Sequence, residues 1–243
     1  IPHEDMMVEQ SGPPLVKAER QYLELAMADH HTCAVTTEQT LACWPRQSKA
    51  DHFRPSSPDA TGLPHILEFP SGLHTQVSAA ADHACAISAG GELTCWGHDA
   101  HALVAPPDGI FTQVETGQEH SCALSESGFI VCWGDDTYGQ LDAPSGNFVE
   151  LSCGDFHCCA GDESGNSTCW GLDSVGQASP PSGVFQSVRA GAYHTCAITE
   201  SATAQCWGTP DHGRLEPPDA SLTTLALGDR HGCGLTSQGE TLC

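Results

Sequence analysis

The chain has 243 residues, with 31 acidic against 8 basic side chains and a formal net charge of −23 before any histidine is protonated. That balance argues against broad contact with a phosphate backbone, because nucleic-acid affinity comes mainly from Lys and Arg neutralising phosphates. Hydrophobic residues at 39% together with 25 Gly are ordinary for a folded chain rather than a disordered one, and no stretch approaches the roughly 20 apolar residues of a membrane-spanning helix.

Ile1 opens directly on polar sequence, so a secretion signal is expected to have been removed or to lie outside this sequence. Residues 8 to 14, Val-Glu-Gln-Ser-Gly-Pro-Pro, match Val-Gly-Gln-Ala-Ser-Pro-Pro at 175 to 181. Fourteen cysteines follow along the chain, far more than a reducing compartment usually holds without metal clusters. Zinc sites commonly show Cys-x-x-Cys pairs, and that spacing is absent from the sequence. Instead one gap of ten recurs in Cys33 and Cys43, Cys85 and Cys95, Cys122 and Cys132, Cys159 and Cys169, Cys196 and Cys206, and Cys233 and Cys243.

The first members of these pairs are separated by steps of 52, 37, 37, 37 and 37 residues, which is the signature of a repeat architecture. The excess in the first step, 52 − 37 = 15 residues, falls after Trp44, and a loop insertion is expected over 45–62. Each unit opens at an aromatic or apolar residue eleven before its first cysteine (Tyr22, Phe111, Phe148, Phe185 and Leu222), with His74 as the exception. A first strand is expected there. The next run alternates faces, so that His31, Cys33 and Val35 share one side of a strand. A turn, often with Gly, leads into Cys-Trp and a third strand. Nine residues separate the paired cysteines, so a turn centred near Ser201 sets Cys196 opposite Cys206, at a separation a disulfide can bridge.

Three short strands per unit cannot enclose a core, whereas radial packing of one small sheet on the next can. The pattern therefore predicts an all-β fold, a single β-propeller over residues 1–243. Six blades are expected, with the N-terminal segment completing the last one, because the sequence stops at Cys243 before a Trp-Gly.

Gly191-Ala-Tyr-His194-Thr-Cys-Ala-Ile and Cys132-Trp133-Gly134-Asp-Asp-Thr-Tyr-Gly139-Gln140-Leu141 carry a further pattern. They resemble the repeats of the regulator of chromosome condensation family, and the likeness extends over nearly the whole chain. The best-known members have seven blades, which the resemblance offers as the alternative to six. It also implies an inhibitor or recognition role, since one secreted bacterial member caps a β-lactamase with a propeller face. The family name implies guanine-nucleotide exchange on a nuclear GTPase as another alternative, against which the net charge and the cysteine pairing speak.

For the residues themselves, the six cysteine pairs with a gap of ten read as structural bridges, each contributing roughly 2.5 kcal/mol in a loop-entropy model. Cys153 and Cys158 stand outside the pattern. They form a seventh bridge, remain as two buried thiols, or Cys158 replaces Cys159 as the partner of Cys169. The histidines His31, His83, His120, His157, His194 and His231 recur at one repeat position, and one hydrogen bond per blade explains them better than a metal ring. The five tryptophans likewise read as packing residues rather than chromophores. His98, Asp99 and His101 could contribute to a metal site, and an alternative metal-dependent role would be built on the repeat histidines, on this loop or on Cys153 and Cys158; otherwise no cofactor is expected. Asn166-Ser167-Thr168 is a glycosylation pattern.

The sequence offers no nucleophile elbow, phosphate loop or zinc-protease motif, and the reading is a binding protein more than an enzyme. Candidate partner contacts are the loops after each Trp, with Asp135, Asp136, Tyr138, Asp211 and His212, and the basic residues Arg46, Lys49 and Arg54 of the insertion. The expected partner is a protein or small ligand on a propeller face, with no nucleic acid and no membrane span. The expected state is a monomer, secreted or periplasmic.

Overall fold

The computed structural model describes residues 22–28, 31–45 and 69–243. Six three-stranded antiparallel sheets follow one another along the chain. We number them as blades one to six, over 22–45, 74–97, 111–134, 148–171, 185–208 and 222–242. Each blade begins at the residue eleven before its first cysteine, His74 included. The segment 1–21, expected to complete the last blade, and the insertion with Arg46, Lys49 and Arg54 lie outside the described residues. Pro45 ends the last strand of blade one.

Blade four shows how the sequence sets the register. Its strands run Phe148–Cys153, His157–Asp162 and Ser167–Gly171. A four-residue turn closed by Gly165 at φ +78° joins the second to the third, a backbone region that favours glycine. The odd gap then places Cys159 directly opposite Cys169, as Cys196 faces Cys206 in blade five. Every first strand carries a register irregularity after its first residue, as between Phe148 and Glu150, and this bulge turns both Phe148 and Leu151 onto one buried face.

The core is a series of interfaces between consecutive blades. Cys122 and Leu124 of blade three pack on Phe148, Leu151 and Trp170 of blade four. Cys159 of blade four packs on Phe185, Val188 and Trp207 of blade five. Each interface thus sets a cysteine face of one blade against the first strand of the next, Phe185 and Val188 with Trp207 in blade five, Phe148 and Leu151 with Trp170 in blade four, and Leu222 and Leu225 in blade six. Among the described residues, blade one leaves its receiving face open. Tyr22, Leu25 and Trp44 are 40%, 58% and 38% exposed, while their counterparts Phe111, Val114 and Trp133 are 5%, 0% and 9% exposed. The described residues therefore form an arc of six blades, and the junction of blade six with blade one is not made by them.

All fourteen cysteines lie in seven pairs at disulfide distance, six with a separation of ten and one, Cys153 with Cys158, with a separation of five. The last pair joins directly opposed residues of the first and second strands. Of the three alternatives for these residues, the structure holds the seventh bridge, and Cys159 keeps Cys169.

Candidate functional site

The first strands of all six blades line a central channel with a cavity of about 720 Å³. Its polar wall includes Glu24, Gln76, Ser78, Glu115, Ser152 and Arg189. Several of these residues, or their repeat equivalents, also tie blade to blade. Glu24 Oε2 accepts from the Val77 amide at 3.0 Å, and Gln76 Oε1 from Val114 at 2.7 Å. Gln113 Oε1 accepts from Leu151 at 3.0 Å, and Glu150 Oε2 from Val188 at 2.9 Å. In blades one to four one such acceptor thus satisfies an amide on the free edge of the next blade's first strand. Arg189 pairs with Glu150. Burial pushes the Glu115 carboxyl up to about 7; a hydrogen bond from Gln113 and the charge of Arg189 oppose the rise, while Glu24 and Glu150 add to it.

A second series of contacts runs through the repeat histidines. His83 Nε2 lies 2.9 Å from Ser121 Oγ, and His157 Nε2 lies 2.8 Å from Thr195 Oγ1, so each imidazole meets the hydroxyl of the residue after the next blade's histidine. His120 meets Cys158 Sγ instead, at 3.1 Å. Gly232 supplies no side chain at the corresponding place, and both ring nitrogens of His194 are buried without a hydrogen-bond partner among the described residues. Burial drives these rings toward the neutral form, with His83, His120 and His194 lowered to about 4 and His157 to about 3. They lie in the blade interfaces, and no three of them converge within ligand distance among the described residues. The tryptophans act alike: Nε1 of Trp133, Trp170 and Trp207 donates to the carbonyls of Leu103, Gln140 and Gln177 in the preceding blade's connection.

The loops after each Trp gather at one end of the propeller. They are held against the turn between first and second strands by the bonds Asp135 N to Glu119 O, Leu172 N to Phe156 O and Thr209 N to Tyr193 O. Asp136, Tyr138, Asp211 and His212 are exposed on this end, while Asp135 is half-buried and receives the backbone and hydroxyl of Thr137. Tyr138 makes an edge contact with Phe156. His98, Asp99 and His101 do not converge as a ligand set among the described residues. Asp99 Oδ1 accepts from the Val104 amide, and His101 gathers instead with Glu119 and Asp135, whose ligand atoms lie within 4.8 Å of one another.

Sequence reasoning did not single out Phe156, Tyr193 or Arg214 at this end. The last replaces Gln140 and Gln177 of the preceding blades, a change visible in the sequence. Its side chain is almost fully buried, its Nε lacks a hydrogen-bond partner among the described residues, and its Nη2 lies 4.0 Å from Asp229. Asn166 is exposed in its turn and donates from Nδ2 to Asp162.

The model of the regulator of chromosome condensation (RCC1) repeat matches residues 111–140, 148–177 and 185–214, three consecutive blades with their connections. These three blades carry RCC1 repeats. Beyond them the likeness is one of fold, as comparison with solved structures shows. The ectodomain of the Physcomitrella patens receptor kinase CR4 is 25% identical, with a TM-score of 0.71 over 92% of this chain and 61% of that one. The CRINKLY WD40 ectodomain of the Arabidopsis thaliana receptor kinase ACR4 is 22% identical, with a TM-score of 0.67 over 90% of this chain and 76% of that one. Prp20p from Saccharomyces cerevisiae, described with its binding properties to Gsp1p and histones, is 16% identical, with a TM-score of 0.72 over 95% and 73% of the two chains. This RCC1-repeat chain thus spans about three fifths of the Physcomitrella ectodomain. No curated protein sequence matches it. No helix among the described residues is long and apolar enough to cross a membrane.

Proposed function

We propose that this chain is a secreted or periplasmic binding scaffold that holds a protein partner on the loop end of the propeller. The observation that carries the reading is the pairing of every cysteine, with no free thiol, which suits an oxidising compartment. The two receptor-kinase ectodomains that share the fold support it.

The loop end is where a stapled scaffold can vary without disturbing its core. Tyr138, Val175 and Tyr193 are exposed there as apolar contact points, beside the acids Asp136 and Asp211. Aromatic anchors with a charged rim are the usual composition of a protein interface. The only cations among the described residues are Arg189, Arg214 and Arg230, so a partner with a basic surface complements this body electrostatically. The same scarcity argues against nucleic acid and against guanine-nucleotide exchange as the activity.

The test is crosslinking of purified protein to the extracellular or periplasmic fraction of its source, comparing the wild type with Tyr138→Ala/Tyr193→Ala. The proposal expects one dominant adduct that the double variant loses at unchanged thermal stability. Equal labelling by both proteins contradicts it. A second reading, metal binding, rests on the gathering of His101, Glu119 and Asp135; calorimetric titration with zinc decides it, and a His101→Ala variant must abolish any binding seen.

A further inference from the structure

Cys158 occupies the repeat position that Ser121 and Thr195 fill in blades three and five, where a hydroxyl meets the preceding histidine. In blade four a disulfide sulfur takes the place of that hydroxyl. Cys158 Sγ is bonded to Cys153, lies 3.1 Å from His120 Nε2, and lies 3.6 Å from Cys122 Sγ of the Cys122–Cys132 bridge in blade three. Two disulfides therefore touch across a blade interface. These four side chains could gather a metal ion by distance alone, but paired sulfurs offer no thiolate to one.

Cys122 and Cys158 are fully buried, and of the group Cys153 alone borders the central channel. An arriving thiol meets Cys153 first. His120 Nδ1 has no hydrogen-bond partner among the described residues, so the neutral ring places its single hydrogen on Nε2, which donates toward Cys158 Sγ.

We propose that the Cys153–Cys158 disulfide is a thiol-exchange site, opened from the central channel by a low-molecular-weight thiol and relayed to the bridge of blade three. In the first step the thiolate of the incoming molecule bonds to Cys153 Sγ, the Cys153–Cys158 bond breaks, and the electron pair leaves on Cys158. The Nε2–H of His120 stabilises that buried thiolate. In the second step Cys158 attacks Cys122 Sγ, the Cys122–Cys132 bond breaks, and Cys132 leaves as a thiolate that takes a proton from solvent. The number of disulfides is conserved, counting the mixed one at Cys153, and the only co-reactant is the thiol. The product is a crosslink from blade three to blade four that the resting protein lacks, with Cys132 released.

The experiment treats the intact protein with reduced glutathione at pH 8, quenches with acid at intervals, alkylates, and maps linkages by non-reducing peptide mass spectrometry. Expected first are a glutathione adduct on Cys153, a Cys122–Cys158 linkage and alkylated Cys132, while Cys85–Cys95 and Cys196–Cys206 persist. Loss of a hairpin bridge before Cys153–Cys158, or an adduct on Cys153 with no Cys122–Cys158 linkage, overturns the proposal. In Cys122→Ser/Cys132→Ser the relay has no acceptor, so the inter-blade linkage is lost and Cys158 is recovered alkylated. His120→Gln, which keeps an N–H donor, is expected to retain the first step, and His120→Leu to slow it. Should these variants fail to fold, the order of linkages in the wild type still decides.

Discussion

His157 Nε2 lies 2.8 Å from Thr195 Oγ1, 38 residues further along the chain, and both groups are fully buried. Thr195 Oγ1 passes its own hydrogen to the Gln177 carbonyl at 2.8 Å, so the hydroxyl accepts from the imidazole while donating to the backbone. One polar chain thus crosses the interface of blades four and five with a direction fixed by its last acceptor. Thr195→Val keeps the volume and removes the acceptor. The expected cost is about 1–3 kcal/mol, read as a lowered midpoint of thermal unfolding, and an unchanged midpoint refutes the assignment.

The buried histidines set the acid limit of the fold. His83, His120 and His194 are held near 4 and His157 near 3 by burial, against 6.5 for an unperturbed ring. In each, the folded form binds fewer protons than the unfolded chain below that value. The stability these neutral rings contribute is therefore complete above about pH 6.5 and is lost as pH falls through the window down to about 4, and to about 3 for His157. Each pH unit in that window costs on the order of 1 kcal/mol per histidine. Melting curves from pH 7.5 to 4.5 check this, with a steep fall below pH 6 expected.

Glu115 titrates with the opposite sign. Its folded value of about 7 exceeds the ordinary 4.5, so the fold retains a proton that the unfolded chain has lost, and stability falls as pH rises from 4.5 through 7. Glu115→Gln is expected to raise the melting temperature at pH 8 and leave it nearly unchanged at pH 4.5. Equal effects at both values contradict a protonated channel carboxyl.

Blade packing differs along the arc, and two tryptophans expose the difference. Trp170 is buried against Cys122, Leu124 and Leu151 and donates to Gln140, whereas Trp44 stands on the open face of blade one. Trp170→Ala is expected to cost about 3–5 kcal/mol, and Trp44→Ala much less. Equal costs by chemical denaturation would mean that the face of Trp44 is covered in solution.

Glycine at the turn before the repeat histidines of blades three to six has a steric cause. A Cβ on Gly154 would fall 1.8 Å from the Gly191 carbonyl of the next blade, and one on Gly117 would fall 2.7 Å from that of Gly154. Gly176 has nothing within 4 Å of such an atom, only a φ of +81°. Gly176→Ala is expected to cost about 1 kcal/mol, and Gly154→Ala distinctly more, as their melting temperatures will show.

Much of this architecture is legible in the sequence because a fixed period ties local pattern to tertiary position. The odd gap between Cys196 and Cys206 sets their register before any coordinate is known, and Phe148 or Phe185 marks each strand start. Contacts between units are harder to read. Gln113 and Glu150 look like ordinary polar strand residues, and their bonds reach amides 38 residues away on the free edge of the next blade's first strand, a neighbour that the sequence does not show. The open face of blade one is invisible for a related reason, since Tyr22 satisfies the same pattern as Phe111 and only the lack of a packed neighbour among the described residues distinguishes them. At the loop end, Tyr193 and Phe156 belong to turns preceding the repeat histidines, and spacing alone does not bring them beside Thr209 and Tyr138.

The central claim is a fully stapled propeller working in an oxidising compartment. It is tested most directly by the intact mass of the protein recovered from its native compartment, alkylated without prior reduction. Seven bridges predict a mass fourteen hydrogens below that of the reduced chain, with no alkyl group added. A chain carrying alkyl groups on many of its fourteen cysteines would place it in a reducing compartment and contradict the account.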